Sequence, residues 1–336
     1  RLARVAPAGA RIERPVGSAH LVSWNAPLTP QQAEQAAEAL AARSEVEWVE
    51  YNTLERRLAV PSDPRYDEQW WLRAVAAGRA GVPGMPAAWD RSTGNPVGGK
   101  PYVAVAVLDT GALFGHPDLD GVWLGGYDFV SEVAYSGDGN GRDANPSDPG
   151  DYVTQADRDG NPTLFGTCPI EDSSWHGTKI AGQIAAKTNN ALGVAGLNWQ
   201  GRVVPVRVAG KCGASVTDIA DGIRWAAGAT VSGVPNNPNP VKVINLSFGG
   251  TGSCNQAYQE AIDAARARGA VLVAAAGNES AGVTRPANCK GVVAVAALNQ
   301  DGFKTNYSNF GSAVTVSTVG GDPRDLGICG PYLGDD

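Results

Sequence analysis

Three residues with side chains suited to acid–base and oxyanion chemistry stand where predicted elements begin or end. Asp109 closes an apolar run, His176 opens a helical stretch rich in small residues, and Asn278 follows another apolar run. A buried carboxylate can orient a histidine base, and a side-chain amide can donate to a developing oxyanion. Taken singly, each also has a structural interpretation, as a capping carboxylate, a structural histidine or a turn asparagine.

The elements that must position these residues are predicted from the hydrophobic pattern after residue 102. Nearly continuous apolar runs are typical of parallel strands that are buried on both faces. Five such runs cover residues 102–108, 203–208, 241–246, 270–276 and 292–297. Helical stretches lie between them at about 176–188, 216–229 and 255–268. The alternation predicts an α/β three-layer sandwich with a mostly parallel sheet, and an active site at the carboxyl ends of its strands.

Residues 1–60 are predicted to form a separate, small α+β module. They contain seven Arg and seven Glu, so they carry no net charge. Strands are predicted at 17–25, 46–52 and 54–60. A helix is predicted to begin at the capping-box sequence Thr29-Pro30-Gln31-Gln32 and to run to about Arg43. Residues 61–102, rich in Pro, Gly and Trp, are predicted to form a connecting arm.

Composition narrows the functional classes. The chain has 336 residues, 43% apolar and 18% charged, which suits about two folded domains. Its net charge of −7, without a basic stripe, argues against nucleic-acid binding. No apolar run approaches the length of a membrane span. The chain begins with Arg and shows no signal-peptide pattern, so we expect a trimmed N-terminus or a fragment.

The five cysteines are widely spaced, and no Cys-x-x-Cys pair occurs, which argues against a zinc ribbon. An odd count is compatible with disulfides plus one unpaired thiol in a secreted protein, or with buried free cysteines in a cytosolic enzyme. The first interpretation is favoured. The cysteines are Cys168, Cys212, Cys254, Cys289 and Cys329.

The order of the three candidate residues and the sequence motifs around them resemble those of the subtilisin-like serine proteases, or subtilases. The resemblance extends over residues 61–336, and the motifs are most similar to those of the secreted, disulfide-bonded bacterial branch of the family. The motifs that carry it are Asp109-Thr110-Gly111, His116-Pro117-Asp118-Leu119, His176-Gly177-Thr178 with Ala181-Gly182, Asn245-Leu246-Ser247-Phe248-Gly249-Gly250 and Ala275-Ala276-Gly277-Asn278.

The resemblance implies a role for each residue. Asp109 would orient His176, and His176 would take the proton from a serine nucleophile and return it to the leaving amine. Asn278 would donate to the oxyanion. The substrate backbone would pair as an added strand with Ser247, Phe248 and Gly249, and Gly249 and Gly277 would leave room for it. Protein or peptide substrates and a monomeric enzyme are implied.

The nucleophile of this family lies in a Gly-Thr-Ser-Met-Ala pattern that opens a helix after the oxyanion asparagine. No such pattern occurs between residues 279 and 336. We therefore expect a catalytic domain that is incomplete at its C-terminal side, and a chain that is inactive as written. The alternatives are a nucleophile on a second chain and a natural pseudoenzyme, which would be a binding or inhibitory protein.

Residues 1–60 resemble the inhibitory propeptide of subtilases, a small ferredoxin-like α+β chaperone, so we expect a zymogen. Residues 55–60 would lie in the cleft like a product strand, and the junction would fall between residues 58 and 63. Residues 61–336 would be the catalytic domain. An unrelated N-terminal domain is the alternative.

The resemblance also implies bound Ca²⁺. Asp63, Asp118 and Asn190, with the backbone carbonyls of Lys187, Leu192 and Val194, would form an oxygen cage. A second site is predicted from the acidic loop 137–151, with Asp128, Asp138 and Asp143 as ligands; a flexible acidic loop is the alternative.

An extracellular or periplasmic location and two disulfides are further implications of the resemblance. The expected pairs are Cys168 with Cys212 and Cys254 with Cys289, which leaves Cys329 unpaired.

Overall fold

The computed structural model describes residues 9–52, 59–94 and 102–322. The chain divides into two compact units, Arg1–Arg57 and Leu58–Asp336. No helix among the described residues is long and apolar enough to cross a membrane.

The first unit contains an antiparallel hairpin and one helix. Strands β1 (Ala10–Val16) and β2 (Ala19–Trp24) pair across a turn at Gly17 and Ser18. Helix α1 (Pro30–Ala41) begins at the predicted capping box, since the Thr29 side chain accepts from Gln32 N and the Gln32 side chain accepts from Thr29 N. The reciprocal cap satisfies two backbone donors at once.

One strand prediction in this unit is wrong, and one strand was not predicted. Residues 46–52 form no strand, because their backbone pairs with no strand in the part of the chain that the structure describes. Strand β1 was not predicted, because its charged residues Arg11, Glu13 and Arg14 obscure the apolar alternation. Most of the strand predicted at 54–60 lies outside the described residues, and residues 59–60 form none.

The second unit is built on a seven-stranded sheet in which all neighbouring strands are parallel. Their order is β11-β10-β9-β8-β3-β5-β4. The strands are β3 (Ala104–Asp109), β4 (Tyr127–Asp128), β5 (Arg202–Arg207), β8 (Val243–Leu246), β9 (Val271–Ala275), β10 (Val292–Leu298) and β11 (Val316–Val319). A separate two-stranded hairpin is formed by β6 (Ala209–Gly210) and β7 (Gly213–Ala214).

The helices of this unit cover both faces of the sheet. They are α2 (Met85–Trp89), α3 (Val133–Ser136), α4 (Gln155–Gly160), α5 (Pro162–Phe165), α6 (His176–Ala185), α7 (Val216–Ala226) and α8 (Gln256–Ala267). Short 3₁₀ turns occur at Tyr66–Glu68, Trp70–Leu72 and Pro117–Leu119.

Alternating residues of the strands pack into two cores. On one face, Ile223 of α7 and Ile262 of α8 pack with Leu272 of β9. On the other, Ala181 and Ala185 of α6 pack against Val107 and Val203. The predicted three-layer α/β sandwich is therefore confirmed.

Both expected disulfides are formed. Cys168 bonds to Cys212 across 44 residues, and Cys254 bonds to Cys289 across 35. Each closes a long loop, which by the chain-entropy account stabilises the fold by roughly 4 kcal/mol. Cys329 lies outside the described residues.

Strand β9, in the interior of the sheet, offers a test of this core. Leu272 is fully buried, and Val271 beside it is 49% exposed. We expect Leu272→Ala to reduce the free energy of unfolding by about 2–5 kcal/mol, because it leaves a cavity. Val271→Ala, the matched control, should cost less than about 1 kcal/mol. Urea unfolding curves measure both; equal losses would contradict the assigned packing.

Candidate active site

The carboxyl ends of three neighbouring strands meet at one edge of the sheet. Strand β3 lies beside β8, and β8 lies beside β9. The register pairs Leu108 with Leu246, and Leu246 with Ala274. The residues that follow these positions therefore emerge at one level, where the sites of open α/β sheets form.

The last residue of β3 contacts the first residue of α6. Asp109 is 1% exposed, and its two carboxylate oxygens lie 2.9 and 3.0 Å from Nδ1 of His176. Thr110 N also donates to Asp109 Oδ1, at 2.8 Å. An ionised carboxylate can only accept hydrogen bonds, so Nδ1 carries the proton and the lone pair of neutral His176 is left on Nε2. This is the arrangement of a general base and its orienting carboxylate.

Glycine at position 177 allows this approach. A Cβ there would lie 2.4 Å from the carbonyl oxygen of Gly111 and 3.1 Å from Cβ of Asp109. Any larger residue would push the first turn of α6 away from the end of β3. The small residue after His176 therefore sets the distance between imidazole and carboxylate.

The surroundings of His176 favour its charged form. Burial lowers the pKa of His176, but the hydrogen bond and charge of Asp109, with the charge of Asp151, outweigh it and raise the pKa above the ordinary histidine value. The neutral, proton-accepting imidazole therefore predominates only above this raised pKa.

The segment after β8 forms one wall beside the imidazole. The Phe248 ring contacts the His176 ring, with centroids 5.8 Å apart at an interplanar angle of 61°. Ser247 Oγ accepts from Asn245 Nδ2 at 2.9 Å. Gly249 is exposed, and the next residue, Gly250, forms an antiparallel bridge with Arg285.

The segment after β9 carries Asn278, whose side chain is exposed. Gly277 before it has φ +109°, and a Cβ there would lie 2.2 Å from Nδ2 of Asn309. Both the backbone conformation and the close contact require glycine.

Asn309 holds this segment, and nothing in the sequence analysis identified it. Its side chain is fully buried. Oδ1 accepts from the backbone N–H groups of Glu279 (3.0 Å) and Ala281 (2.9 Å), and Nδ2 donates to the Ala276 carbonyl (3.1 Å). The loop on both sides of Asn278 is thus fixed by one amide. In the sequence, Asn309 is an Asn between two strands, and this position does not indicate which residues it contacts.

The residues predicted to bind the first calcium ion lie together. Asp63 and Asp118 are 5% and 4% exposed. Asp63 accepts from the backbone N–H groups of Asn189 and Asn190, and Asp118 accepts from Asn190 Nδ2 (2.8 Å) and Val194 N (2.8 Å).

The donor set fits a hard cation. Neither Asp63 nor Asp118 forms an ion pair with another described residue. Buried carboxylates without a counter-charge are energetically costly. A Cβ on Gly193 would lie 2.2 Å from Asp118 Oδ2, so a glycine keeps this space open. Lys187 and Leu192 lie on the same loop, where Lys187 N donates to the Asp118 carbonyl and Leu192 N to Asn190 Oδ1.

The contacts in the structure do not support the second predicted calcium site. The guanidinium of Arg207, 1% exposed, forms ion pairs with both Asp128 and Asp138. Asp143 instead accepts from Asn140 Nδ2 and Asn145 N. A buried cation already neutralises these carboxylates and would repel Ca²⁺. Across residues 9–52, 59–94 and 102–322, no group of three or more His, Cys, Asp or Glu could hold a metal ion.

Known proteins are similar to this chain in sequence and in architecture. The sequence model of the subtilase family (Peptidase S8) matches residues 100–332. This chain belongs to the subtilase family.

The chain is similar to the extracellular protease of Xanthomonas campestris pv. campestris, with 45% identity over 302 residues, covering 89% of this chain and 49% of that protein. The extracellular basic protease of Dichelobacter nodosus is 40% identical over 312 residues, covering 90% and 49%. The chain therefore spans about half the length of these curated relatives. A solved protease structure from Pseudoalteromonas arctica is 46% identical with a TM-score of 0.69, covering 79% of this chain and 73% of that one.

The pKa of His176 tests the pairing in this subtilase. We expect Asp109→Asn to lower that pKa, because it removes the adjacent negative charge while keeping the shape. Asp120→Asn, at a side chain that is 82% exposed, is the control and should leave it unchanged. Proton NMR titration measures all three proteins. An unchanged His176 pKa in Asp109→Asn would contradict the electrostatic account.

Proposed function

We propose that this subtilase is a secreted serine endopeptidase that hydrolyses peptide bonds with an Asp-His-Ser triad. The observation that carries the proposal is the pair of 2.9 and 3.0 Å contacts between His176 Nδ1 and the buried Asp109 carboxylate. A histidine held in this way presents Nε2 as a base beside the ends of β8 and β9, where substrate-binding segments would lie.

In the proposed reaction, Nε2 of His176 takes the proton of a serine hydroxyl as its oxygen attacks the peptide carbonyl carbon. Asp109 stabilises the imidazolium that forms. The Asn278 amide donates to the oxyanion of the tetrahedral intermediate. His176 then protonates the leaving amine as the peptide C–N bond breaks, and water hydrolyses the acyl-enzyme by the same steps.

The nucleophilic serine is proposed to lie C-terminal to Asp336. Two observations support this: the sequence contains no Gly-Thr-Ser segment, and the chain spans about half the length of curated relatives named as proteases. Residues 1–336 alone are then inactive. A pseudoenzyme on the same fold would keep the Asp109–His176 pair without any such serine.

Secretion and a zymogen form are part of the proposal. Secretion is supported by the two disulfides, which persist in oxidising compartments, and by relatives named extracellular proteases. Residues 1–60 are proposed to be an inhibitory propeptide, supported by the compact unit Arg1–Arg57 with its hairpin and helix. A monomer acting on protein or peptide substrates is proposed.

Calcium is proposed to bind at Asp63, Asp118 and Asn190, with the carbonyls of Lys187, Leu192 and Val194. A bound Ca²⁺ would supply two positive charges to two buried carboxylates. It would thereby tie the arm that carries Asp63 to the loop after α6.

Peptidase activity tests the triad in the full-length secreted protein. We expect His176→Ala to lower kcat for a fluorogenic peptide by about 10⁴-fold or more, since the base is lost. His20→Ala, in the proposed propeptide, is the control and should keep activity. A serine-directed phosphonate should label the full-length protein and leave residues 1–336 unlabelled. Labelling of residues 1–336, or a fully active His176→Ala variant, would refute the proposed mechanism.

Thermal unfolding tests the calcium site on residues 1–336. We expect Ca²⁺ to raise the Tm relative to chelator, because the ion binds the folded state. Asp118→Asn should abolish most of this rise, whereas Asp120→Asn, two residues away and exposed, should retain it. Calorimetric titration with CaCl₂ provides the affinity. An equal Ca²⁺ response in Asp118→Asn would contradict the assigned ligands.

A further inference from the structure

Two carboxylates on the short segment 148–151 hold the backbone at the start of helix α6. We propose that Asp148 and Asp151 are positioning residues for the catalytic histidine, each acting through a hydroxyl group on a backbone N–H of the first turn. The inference rests on the proposed function and adds to it a support for His176 that is separate from Asp109.

Asp148 acts through Thr110. The Asp148 side chain is buried, and its Oδ2 accepts from Thr110 Oγ1 at 2.6 Å, while Oδ1 accepts from Gly150 N at 2.8 Å. Thr110 Oγ1 in turn accepts from Gly177 N at 3.0 Å. Because the ionised carboxylate can only accept, the hydroxyl proton points to Asp148 and an oxygen lone pair faces Gly177.

Asp151 acts through Ser174. Both carboxylate oxygens are used: Oδ1 accepts from Ser174 N and Oδ2 from Ser174 Oγ, each at 2.7 Å. Ser174 Oγ accepts from His176 N at 3.2 Å. Trp175, between Ser174 and His176, has φ +52°, a left-handed conformation that is strained for a non-glycine residue. The grip of Asp151 on Ser174 holds this strained turn in place.

Helix α6 needs both supports because it has no side-chain cap of its own. The first backbone N–H groups of a helix have no partner within the helix. Trp175 stands at the N-cap position and makes no side-chain capping hydrogen bond. Thr110 and Ser174, oriented by Asp148 and Asp151, satisfy these donors instead.

The two supports act on the residue whose placement matters most for the reaction. Asp109 fixes the imidazole ring, and the adjacent Thr110 fixes the backbone behind it, so the end of β3 grips α6 at two points. Small displacements of a catalytic group can cost about 10²-fold in rate. Neither Asp148 nor Asp151 contacts the imidazole by a hydrogen bond, so both act through the backbone.

The charged groups around the imidazole provide a way to distinguish the role of Asp151 from the role of Asp148 and Thr110. Asp109 and Asp151 raise the pKa of His176, and Lys179 lowers it. Removal of the Asp151 charge therefore changes the acid limb of the pH profile, whereas loss of the Thr110 hydroxyl removes no charge.

The first test uses kinetics of the full-length secreted protein. We expect Thr110→Val, which is isosteric, to lower kcat about 10–100-fold with little change in KM, and Thr110→Ser to restore it, because only the hydroxyl matters. Asp148→Asn should resemble Thr110→Val, and the double variant should be no worse than either alone. Ser147→Ala, on the same loop, is the control. Equal kcat for Thr110→Val and Thr110→Ser would overturn the role of Asp148.

The second test uses the pH dependence of kcat/KM. We expect Asp151→Asn to lower kcat and to move the acid limb to lower pH, because one charge that raises the pKa of His176 is lost. Ser174→Ala should lower kcat without moving that limb. Asp159→Asn, at an exposed position on helix α4, is the control. An Asp151→Asn variant with an unchanged kcat and acid limb would overturn the role of Asp151.

Amide hydrogen exchange provides a readout that needs no activity. In residues 1–336, we expect Thr110→Val to reduce protection of the Gly177 amide at least tenfold and Ser174→Ala that of the His176 amide, with Thr110→Ser close to wild type. Unchanged protection would refute the proposed positioning roles of Asp148 and Asp151. A wild-type full-length protein without peptidase activity, together with these losses, would refute the proposed function and leave the positioning network intact.

Discussion

The structure of the second unit depends on one buried carboxylate at the end of a strand. Asp109 is removed from water, where an ionised group is costly unless it is paired and hydrogen-bonded. Its partners are the Thr110 N–H and the His176 imidazole. The neighbouring elements allow this contact and place further strand ends beside it. Gly177 lets α6 approach, and the parallel register brings the ends of β8 and β9 to the same level as β3.

The same need for fixed geometry explains the buried polar residues around the edge of the sheet. Asn309 ties down both sides of the segment that carries Asn278, and Arg207 neutralises Asp128 and Asp138 beneath the neighbouring loop. The buried polar side chains of Asn309 and Arg207 both find partners, as buried polar groups require. The result is a sheet edge whose loops are held by side-chain hydrogen bonds.

The sequence predicted the local features well. Continuous apolar runs indicate strands that are buried on both faces, so the strand that ends at Asp109 and the strand that precedes Asn278 were predicted. The start of α6 at His176 was predicted as well. The disulfide pairs followed from the family resemblance. The failures concern long-range partners. The acidic composition of loop 137–151 predicted a cation, but that cation is Arg207, contributed by a strand about 70 residues later in the chain. Asn309, likewise, lies about 30 residues from the loop it holds, and no local pattern encodes that contact.

The tautomer of the neutral His176 imidazole is the sharpest test of its pairing with Asp109. Nitrogen chemical shifts of ¹⁵N-labelled histidine, recorded above the pKa of His176, distinguish the two neutral tautomers. Because the Asp109 carboxylate can only accept hydrogen bonds, we expect the proton on Nδ1 and an unprotonated Nε2. A neutral His176 with its proton on Nε2 would contradict the Asp109–His176 pairing and, with it, the proposed role of His176 as a general base.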